Sequence, residues 1–373
     1  MRAKRVLYNN IAAGILQITI FVFALIFPKL MITTYGSQLN GLYSSVRQVV
    51  SYLKYLELGI TSALVVTLYK PLAIKDIGET NSLVTRAKNE YKKISYAYLI
   101  FVLALAFIYP LLLKESLDYL KVVTLIVFVG LYGVLDFYTL SKYVVLLQAD
   151  QRNYIVNGAT IITVVLQNVA SIILMLTGQS LLLVALMPSL FLPVRSLILR
   201  FYIKRNYKYV DYTAEPSTIK LDTRKDAFIN GLSNTLDATL PVIMVSLIVS
   251  LEMASVFSVY SMIFIGLAGI LTVLSSGIQA AYGNMIANEE TKTLKRTVNA
   301  YELIYYFVIT VVYALALALI IPFIKIYTVD ADINYVYPLF GPLFAIWAVG
   351  QTAGRPHQAL LNASGEWRLV TKV

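Results

Sequence analysis

Long apolar stretches alternate with short polar segments along the whole chain of 373 residues. A helix of about 20 apolar residues is long enough to cross the hydrocarbon core of a bilayer. The pattern predicts ten such spans, at residues 9–34, 41–69, 94–113, 122–147, 154–176, 181–199, 227–249, 254–280, 301–324 and 336–361. We expect helices, because a lone strand would leave backbone N–H and C=O groups unpaired in lipid.

The composition agrees with this pattern, since 58% of the residues are hydrophobic and only 14% are charged. Soluble globular proteins carry about 25% charged residues, so the composition argues against a soluble enzyme, a nucleic-acid-binding domain and a disordered chain. The absence of cysteine excludes disulfides and thiolate metal sites, and the single histidine, His357, cannot form a multi-histidine site. We therefore expect no metal and no other cofactor.

The positive charges indicate an orientation. With the N-terminus inside, 22 of the 31 Lys and Arg residues lie in inner segments, whereas the outer loops hold only Lys114, Lys121 and Lys325. Cytoplasmic loops of membrane proteins are enriched in Lys and Arg. This asymmetry predicts cytoplasmic termini and attributes the net charge of +11 to basic loops rather than to nucleic-acid binding.

An internal repeat divides the chain into two halves. Four short matches recur at offsets of 217, 218, 212 and 214 residues: Tyr43-Ser44 with Tyr260-Ser261, Gly59-Ile60 with Gly277-Ile278, Pro110 with Pro322, and Leu146–Ala149 with Leu360–Ala363. A repeat of six spans returns the chain to the same side, so the halves would run parallel, as in many secondary transporters. We predict an N-terminal six-helix lobe at 1–201, a basic cytoplasmic linker at 202–226, and an incomplete C-terminal lobe of four helices at 227–373.

The linker is interpreted as a solvated loop that lies near anionic headgroups, with a regulatory site as the alternative. Lys29, Lys142 and Arg195 lie close to span ends, where their long side chains can reach the interface. Gly266 and Gly269 predict close helix packing. Tyrosines near span ends are interpreted as interfacial belts, namely Tyr91, Tyr96, Tyr305 and Tyr306.

The second span carries three charges, Arg47, Lys54 and Glu57, on one stripe of the helix. A charge at the bilayer centre costs about 2.5–3.5 kcal/mol on insertion scales, so this stripe must face protein or water. One interpretation is an internal Lys54–Glu57 ion pair, with Arg47 extending toward the interface. The other is a hydrated cationic surface that meets an anionic substrate.

Further polar residues lie within other spans. They are Gln17 in the first span, Asp136 in the fourth, Asn234 and Asp237 in the seventh, and Gln351 and Arg355 in the tenth. Polar faces on helices from both halves predict a shared, hydrated cavity. The sequence contains no GxxxxGK[ST], HExxH or GxSxG motif, and the predicted outer loops are short, so we expect a protein that is not an enzyme.

Several motifs resemble one family of membrane transporters. They are Tyr35-Gly36-Ser37 with Asn40-Gly41-Leu42-Tyr43, Leu56-Glu57-Leu58-Gly59-Ile60, Leu68-Tyr69-Lys70-Pro71-Leu72-Ala73, Leu146-Leu147-Gln148-Ala149, Val259-Tyr260-Ser261 and Tyr301-Glu302-Leu303. This set is similar to that of polysaccharide repeat-unit flippases, the Wzx-type exporters of the multidrug/oligosaccharidyl-lipid/polysaccharide (MATE-like) superfamily. The resemblance runs over essentially the whole chain, although family members continue for further spans.

The resemblance implies an all-α, two-lobed integral membrane bundle. It would translocate undecaprenyl-diphosphate-linked oligosaccharide units across the bacterial plasma membrane by alternating access. The family's cavity is lined chiefly by its first, second, seventh and eighth helices, which carries over to Arg47, Lys54, Glu57 and Asp237. The expected partners are the lipid-linked oligosaccharide, membrane lipids and other polysaccharide assembly proteins, without nucleic acid.

These expectations assign roles to the polar residues. Arg47, Lys54 and Arg355 would attract the diphosphate, Glu57, Asp136 and Asp237 are candidates for ion coupling, and Gln17, Asn234 and Gln351 would line the cavity. Three alternatives stay open: a cation-coupled drug exporter on the same scaffold, a membrane polysaccharide polymerase or ligase, and an inactive truncated remnant. A drug exporter would favour an acid-rich cavity, and a polymerase would need a sizeable outer loop.

Overall fold

The computed structural model describes residues 2–52, 57, 60–113, 117–218 and 241–364, and within these ranges every regular element is an α-helix. The helices are α1 (Arg2–Tyr35), α2 (Ser37–Tyr52), α3 (Ile60–Ile74), α4 (Ile77–Leu112), α5 (Tyr119–Thr139), α6 (Ser141–Ala149), α7 (Asn153–Leu176), α8 (Leu181–Asn206), α9 (241–248), α10 (Leu251–Ala287), α11 (Thr291–Tyr327), α12 (Phe340–Ala353) and α13 (Arg355–Ser364).

The helices follow the predicted spans, and the molecule is a multi-pass helical membrane bundle. Seven helical stretches in the described part of the chain are long and apolar enough to cross a bilayer. The span predicted at 336–361 is divided between two shorter helices, α12 and α13, and the described parts of the span predicted at 41–69 belong to α2 and α3. Most of the span predicted at 227–249 lies outside the described residues.

Two helices begin well before the predicted apolar runs. Helix α4 starts at Ile77 rather than at residue 94, because the Asp76 side chain accepts a hydrogen bond from the backbone N–H of Glu79 and caps the first turn. The charged first turns of α4 also bury one apolar face, which includes Leu83 and Ala87. Helix α11 likewise starts at Thr291, ten residues before its predicted span.

The buried side chains form two separate clusters. The first cluster consists mainly of residues of α1–α8, with Leu251 of α10, and its largest fully buried members include Met31, Tyr91 and Tyr98. The second consists mainly of residues between the start of α10 and the end of α12, with Ile32 of α1, and includes Tyr260 and Phe264. We refer to α1–α8 as the N-lobe and to α10–α13 as the C-lobe; the exact lobe and linker boundaries predicted from the sequence stay predictions.

Tyr91 and Tyr305 were predicted to lie in interfacial belts, but both are buried in the bundle. Tyr91 is 1% exposed and Tyr305 is 2% exposed. Each hydroxyl has a partner inside the bundle, Thr61 at 2.6 Å and the backbone carbonyl of Thr352 at 3.1 Å. These tyrosines are therefore core residues with a satisfied polar group.

Candidate functional site

The two lobes meet where one end of α2 packs against the start of α10. Asn40 Nδ2 donates to Ser255 Oγ at 2.7 Å, and Ser44 Oγ donates to Ser258 Oγ at 3.3 Å. These contacts join residues 215 and 214 positions apart. The nearly constant offset shows that α2 and α10 run in the same direction, as two parallel halves require.

A glycine permits this close approach. A Cβ atom at Gly41 would lie 1.7 Å from the backbone oxygen of Leu251 and 3.1 Å from the backbone nitrogen of Ser255. Backbone atoms of α10 cannot move aside as a flexible side chain can. Small residues are typical of helices that pack backbone to backbone in membranes, so any side chain at Gly41 would separate the lobes here.

A chain of hydrogen bonds extends from this contact into the segment between α11 and α12. Asn40 donates to Ser255, whose hydroxyl lies 2.6 Å from Tyr335 OH, and Tyr335 OH donates to Ser37 Oγ at 2.7 Å. Ser37 Oγ in turn donates to the Asp332 carboxylate. The Tyr335 hydroxyl has one proton and donates it to Ser37, so Ser255 must be the donor in its bond with Tyr335. Every hydrogen bond of the chain therefore donates toward the Asp332 carboxylate.

Asp332 is the negative end of this chain. Its carboxylate also accepts the backbone N–H of Ser37 at 3.1 Å. Partial burial raises the pKa of Asp332, but the hydrogen bonds from Ser37 lower it by more, so its pKa lies below the ordinary value of 3.8. Asp332 is therefore ionised at neutral pH. We call the contact made by Ser37–Ser44, Leu251–Ser258 and the segment 328–339 the closed end.

Two further hydrogen-bonded contacts lie near the closed end; the first links the N-lobe to α9, and the second joins the two lobes. Tyr109 OH donates to Ser45 Oγ at 2.8 Å and lies 3.0 Å from Ser246 Oγ of α9. Tyr327 OH of α11 donates to the backbone carbonyl of Leu25 in α1 at 2.6 Å. The interface at this end thus combines close packing with a series of buried polar contacts.

Beyond Ser44 and Ser258, the same faces of α2 and α10 carry exposed side chains. Arg47 lies seven residues after Asn40, and Ile265 lies seven residues after Ser258, so each continues the contacting face of its helix. Both are exposed, Ile265 at 37%. Arg47 forms no ion pair within the described part of the chain, and its guanidinium lies 5.7 Å from the Tyr43 ring centroid. We call this region, from Arg47 and Ile265 onward, the open end.

Helix α1 closes one side of the space between α2 and α10. A Cβ atom at Gly266 would lie 2.1 Å from the Phe21 ring, and one at Gly269 would lie 2.2 Å from Gln17 Nε2. The prediction that these two glycines permit close packing is therefore confirmed. Gln17 is half-buried at the α1–α10 contact, which brings one predicted cavity residue to the same interface as Arg47.

Two of the predicted acidic residues, Asp136 and Glu57, lie elsewhere in the N-lobe. Asp136 Oδ1 is 3.6 Å from Arg195 Nη1, and their side chains are 22% and 14% exposed. Arg195 thus pairs with a carboxylate between α5 and α8, which corrects the expectation that it extends toward the interface. Glu57 is half-buried and accepts a hydrogen bond from Thr61 at 3.4 Å. Asp136 is compensated by protein rather than left for a substrate.

In the C-lobe, Arg355 and Gln351 lie on either side of the break between α12 and α13. Both are half-buried, and the Arg355 Nε atom is buried without a hydrogen-bond partner in the described structure. His357 is exposed, with its Nε2 atom 3.5 Å from Glu302 Oε1. Three predicted site residues, Lys54, Asn234 and Asp237, lie outside the described residues.

Three solved structures were similar to the whole arrangement. They are the eukaryotic MATE transporter AtDTX14 and a multidrug resistance MATE family transporter of the MOP superfamily in its inward-facing and outward-facing conformations. Identities are 13%, 12% and 13%, and TM-scores are 0.63, 0.62 and 0.56. The matches cover 98%, 94% and 96% of this chain and 84%, 88% and 84% of the neighbours. The chain has the fold of the MATE transporters. No protein-family model and no curated protein sequence matched it.

Within this MATE fold, sequence reasoning missed the closed end. It selected charges in the middle of apolar runs, whereas the lobes are joined by small polar residues at helix starts and by Tyr335 and Asp332 in a loop. A signal existed in the spacing of Ser37, Asn40 and Ser44, which places three polar side chains on one helical face. Asp332 could not be found this way, because its partner Ser37 is 295 residues away.

Proposed function

We propose that this protein is a flippase that moves undecaprenyl-diphosphate-linked oligosaccharide units across the bacterial plasma membrane by alternating access. The MATE fold supports membrane transport, and the Wzx-type sequence motifs support this cargo. With the N-terminus in the cytoplasm, the closed end lies outside and the open end faces the cytoplasm. The lobes would then be poised to receive cargo from the side on which it is made.

The observation that carries the proposal is the exposed guanidinium of Arg47 at the open end. It lies on the face of α2 that contacts α10 two turns earlier, so it borders the space between the lobes. A cation there can attract a diphosphate through charge-assisted hydrogen bonds. Polar groups such as Gln17 would form hydrogen bonds with the glycan, and the lipid tail can stay in the bilayer between the lobes.

Lys54 and Arg355 are proposed as further cations for the diphosphate. Glu57, Asp136 and Asp237 are proposed candidates for coupling to a proton or sodium gradient. Asp136 is the weakest of these, because its ion pair with Arg195 already compensates its charge. Collapse of each ion gradient in turn during a flipping assay would identify the coupling ion, and unchanged flipping in both cases would remove this role.

A drug exporter is the second candidate, because one similar structure is a multidrug resistance MATE transporter. A cationic drug would need an acidic surface between the lobes. Among the described residues, the open end instead presents Arg47, and Asp136 is paired. Repulsion between Arg47 and a cationic cargo therefore favours the flippase.

The experiment compares the wild-type protein with Arg47→Gln in proteoliposomes. We expect the wild type to expose the oligosaccharide of an undecaprenyl-diphosphate donor to a membrane-impermeant glycosidase, and Arg47→Gln to slow this at least tenfold, since a charged hydrogen bond is worth about 1.5–3 kcal/mol. Lys325→Gln, which removes an exposed cation in the last turn of α11, is the matched control and should match the wild type.

Thermal unfolding of each variant separates a loss of transport from a loss of folding. Because Arg47 is exposed and has no ion pair in the described structure, Arg47→Gln should unfold at the wild-type temperature. Efflux of a cationic dye without oligosaccharide flipping would support the drug exporter instead. Equal flipping by wild type and Arg47→Gln would contradict the assignment of this residue.

A further inference from the structure

The segment that follows α8 lies along one face of α4, and most of its described residues remain exposed. Asn81 Nδ2 donates to the Tyr209 carbonyl and Asn81 Oδ1 accepts the Asp211 N–H, both at 3.0 Å. Lys88 Nζ donates to the Tyr212 carbonyl at 3.2 Å. The spacing of Asn81 and Lys88 is two helical turns, so the segment follows a single stripe of α4.

This docking brings three cations from three helices together. Lys88 lies on α4, Lys142 on α6 and Arg200 on α8, and the charges of Lys88 and Arg200 both act on the Lys142 ammonium. None of the three forms an ion pair within the described structure. Asp211 is exposed, and its carboxylate accepts two hydrogen bonds from Thr213. It forms no ion pair with Lys88 in the described structure.

Two tyrosines form an aromatic wall beside these cations. The Lys142 Nζ atom lies 5.0 Å from the Tyr143 ring centroid and 5.9 Å from that of Tyr212. The two rings meet edge to face, with centroids 5.7 Å apart. Cation–π contacts stabilise an ammonium group that is partly removed from water, but they leave its hydrogen-bond donors free.

The Tyr212 hydroxyl is buried and has no hydrogen-bond partner in the described structure. An unsatisfied buried hydroxyl costs about 1–3 kcal/mol, so such groups normally have a partner. Burial raises the pKa of Tyr212, so the hydroxyl stays protonated and can act as a donor.

We propose that Lys88, Lys142, Arg200 and Tyr212 bind a phosphoryl anion at the end of the N-lobe that carries the N-terminus. Arg5 and Asp150 form an ion pair at that same end, which the charge asymmetry places in the cytoplasm. Three cationic side chains and one neutral hydroxyl can all donate hydrogen bonds to an oxyanion that has several acceptor oxygens. The phosphoryl group could belong to an anionic phospholipid headgroup or to a free phosphate. The site is separate from Arg47, so the inference does not depend on the cargo proposed above.

The test measures binding to purified, delipidated protein. Phosphatidylglycerol and phosphatidylcholine are added in separate mixed micelles, inorganic phosphate is added alone, and the unfolding temperature and the bound lipid, by native mass spectrometry, are recorded. We expect a stabilising shift with phosphatidylglycerol and none with phosphatidylcholine, because a ligand that binds only the native state stabilises it. A shift with phosphate alone would support the site and assign its source as a free anion.

Variants then locate the binding. Lys142→Gln and Arg200→Gln should each weaken phosphatidylglycerol binding on the order of tenfold or more. Lys204→Gln, an exposed cation one turn after Arg200 on α8, controls for general surface attraction and should bind as the wild type does. Tyr212→Phe distinguishes a ligand site from a structural role, because it should stabilise the lipid-free protein while weakening binding.

Two results would overturn the inference. One is equal binding of phosphatidylglycerol by the wild type, Arg200→Gln and Tyr212→Phe. The other is the absence of any shift with either phosphatidylglycerol or inorganic phosphate. If Lys142→Gln fails to fold, Arg200→Gln and Tyr212→Phe still decide the matter, since Arg200 is exposed and Tyr212→Phe removes only a hydroxyl.

Discussion

The closed end and the open end are two parts of the same pair of helix faces. At the closed end, Asn40 and Ser44 of α2 reach across to Ser255 and Ser258 of α10. Further along the same faces, Arg47 lies three residues after Ser44 and Ile265 lies seven residues after Ser258, and both are exposed. The two regions therefore differ in burial: the faces are hydrogen-bonded and largely buried at the closed end, and they carry exposed side chains at the open end.

The chemistry of the closed end suits a contact that must form and break. A hydrogen bond contributes only about 0.5–1.5 kcal/mol net, because the groups can bond to water once they separate. A large apolar side chain at the same place would cost about 1.5–3 kcal/mol to expose. Small polar residues thus join the lobes here by contacts that cost little to break, beside the buried side chain of Leu251.

The largest expected effect comes from Gly41→Ala. Its Cβ would lie 1.7 Å from the Leu251 oxygen, so the closed end must move apart, at a cost of about 1–3 kcal/mol as for other overpacked sites. Because the native chain has no cysteine, Ser258→Cys can serve as a single probe. We expect a membrane-impermeant maleimide to label it faster in the Gly41→Ala background.

Gly158→Ala is the matched control for this change. A Cβ at Gly158 meets no atom within 4 Å, so the labelling rate of Ser258→Cys should stay at the wild-type value. Equal rates in the Gly41→Ala and Gly158→Ala backgrounds would show that the approach of α2 to α10 does not keep this end closed.

A smaller effect is expected from Tyr335→Phe, which removes the central hydroxyl of the hydrogen-bond chain. Ser37 and Ser255 would each lose a partner, weakening the closed end by about 1 kcal/mol. The change should raise the labelling rate of Ser258→Cys about fivefold. Tyr138→Phe, at a residue that is 49% exposed, should leave the rate unchanged, and an equal increase there would refute a specific role for Tyr335.

The smallest expected effect is a change in the labelling rate of Ser258→Cys at low pH. The pKa of Asp332 is lower in the closed form than its ordinary value of 3.8, so its stabilising contribution is present above pH 3.8 and is lost as the pH falls through its lower native value. Labelling of Ser258→Cys by an acid-tolerant thiol reagent such as a pyridyl disulfide should therefore increase only in strong acid. Asp332→Asn should abolish this increase, and an identical acid response would contradict the role of the carboxylate.

Most of the fold could be predicted from the sequence, but fewer of the contacts in the candidate site could. Apolar runs predicted the helices because lipid imposes one simple requirement on every span. Arg47 could be selected because a charge inside such a run needs an explanation. The pairing of Arg195 with Asp136 could not be predicted, since it depends on how α5 and α8 face each other. Tyr91 and Tyr305 were misplaced for the same reason, because a tyrosine near a span end can face lipid or core.

The central claim is that the closed end must open during each transport cycle, and a reversible cross-link tests it most directly. Ser44 and Ser258, whose hydroxyl oxygens are 3.3 Å apart, are replaced by cysteine in the naturally cysteine-free chain, with each single variant as the oxidised control. We predict that oxidation of the Ser44→Cys/Ser258→Cys protein stops oligosaccharide flipping and that reduction restores it. Flipping at the wild-type rate by fully cross-linked protein would contradict the account.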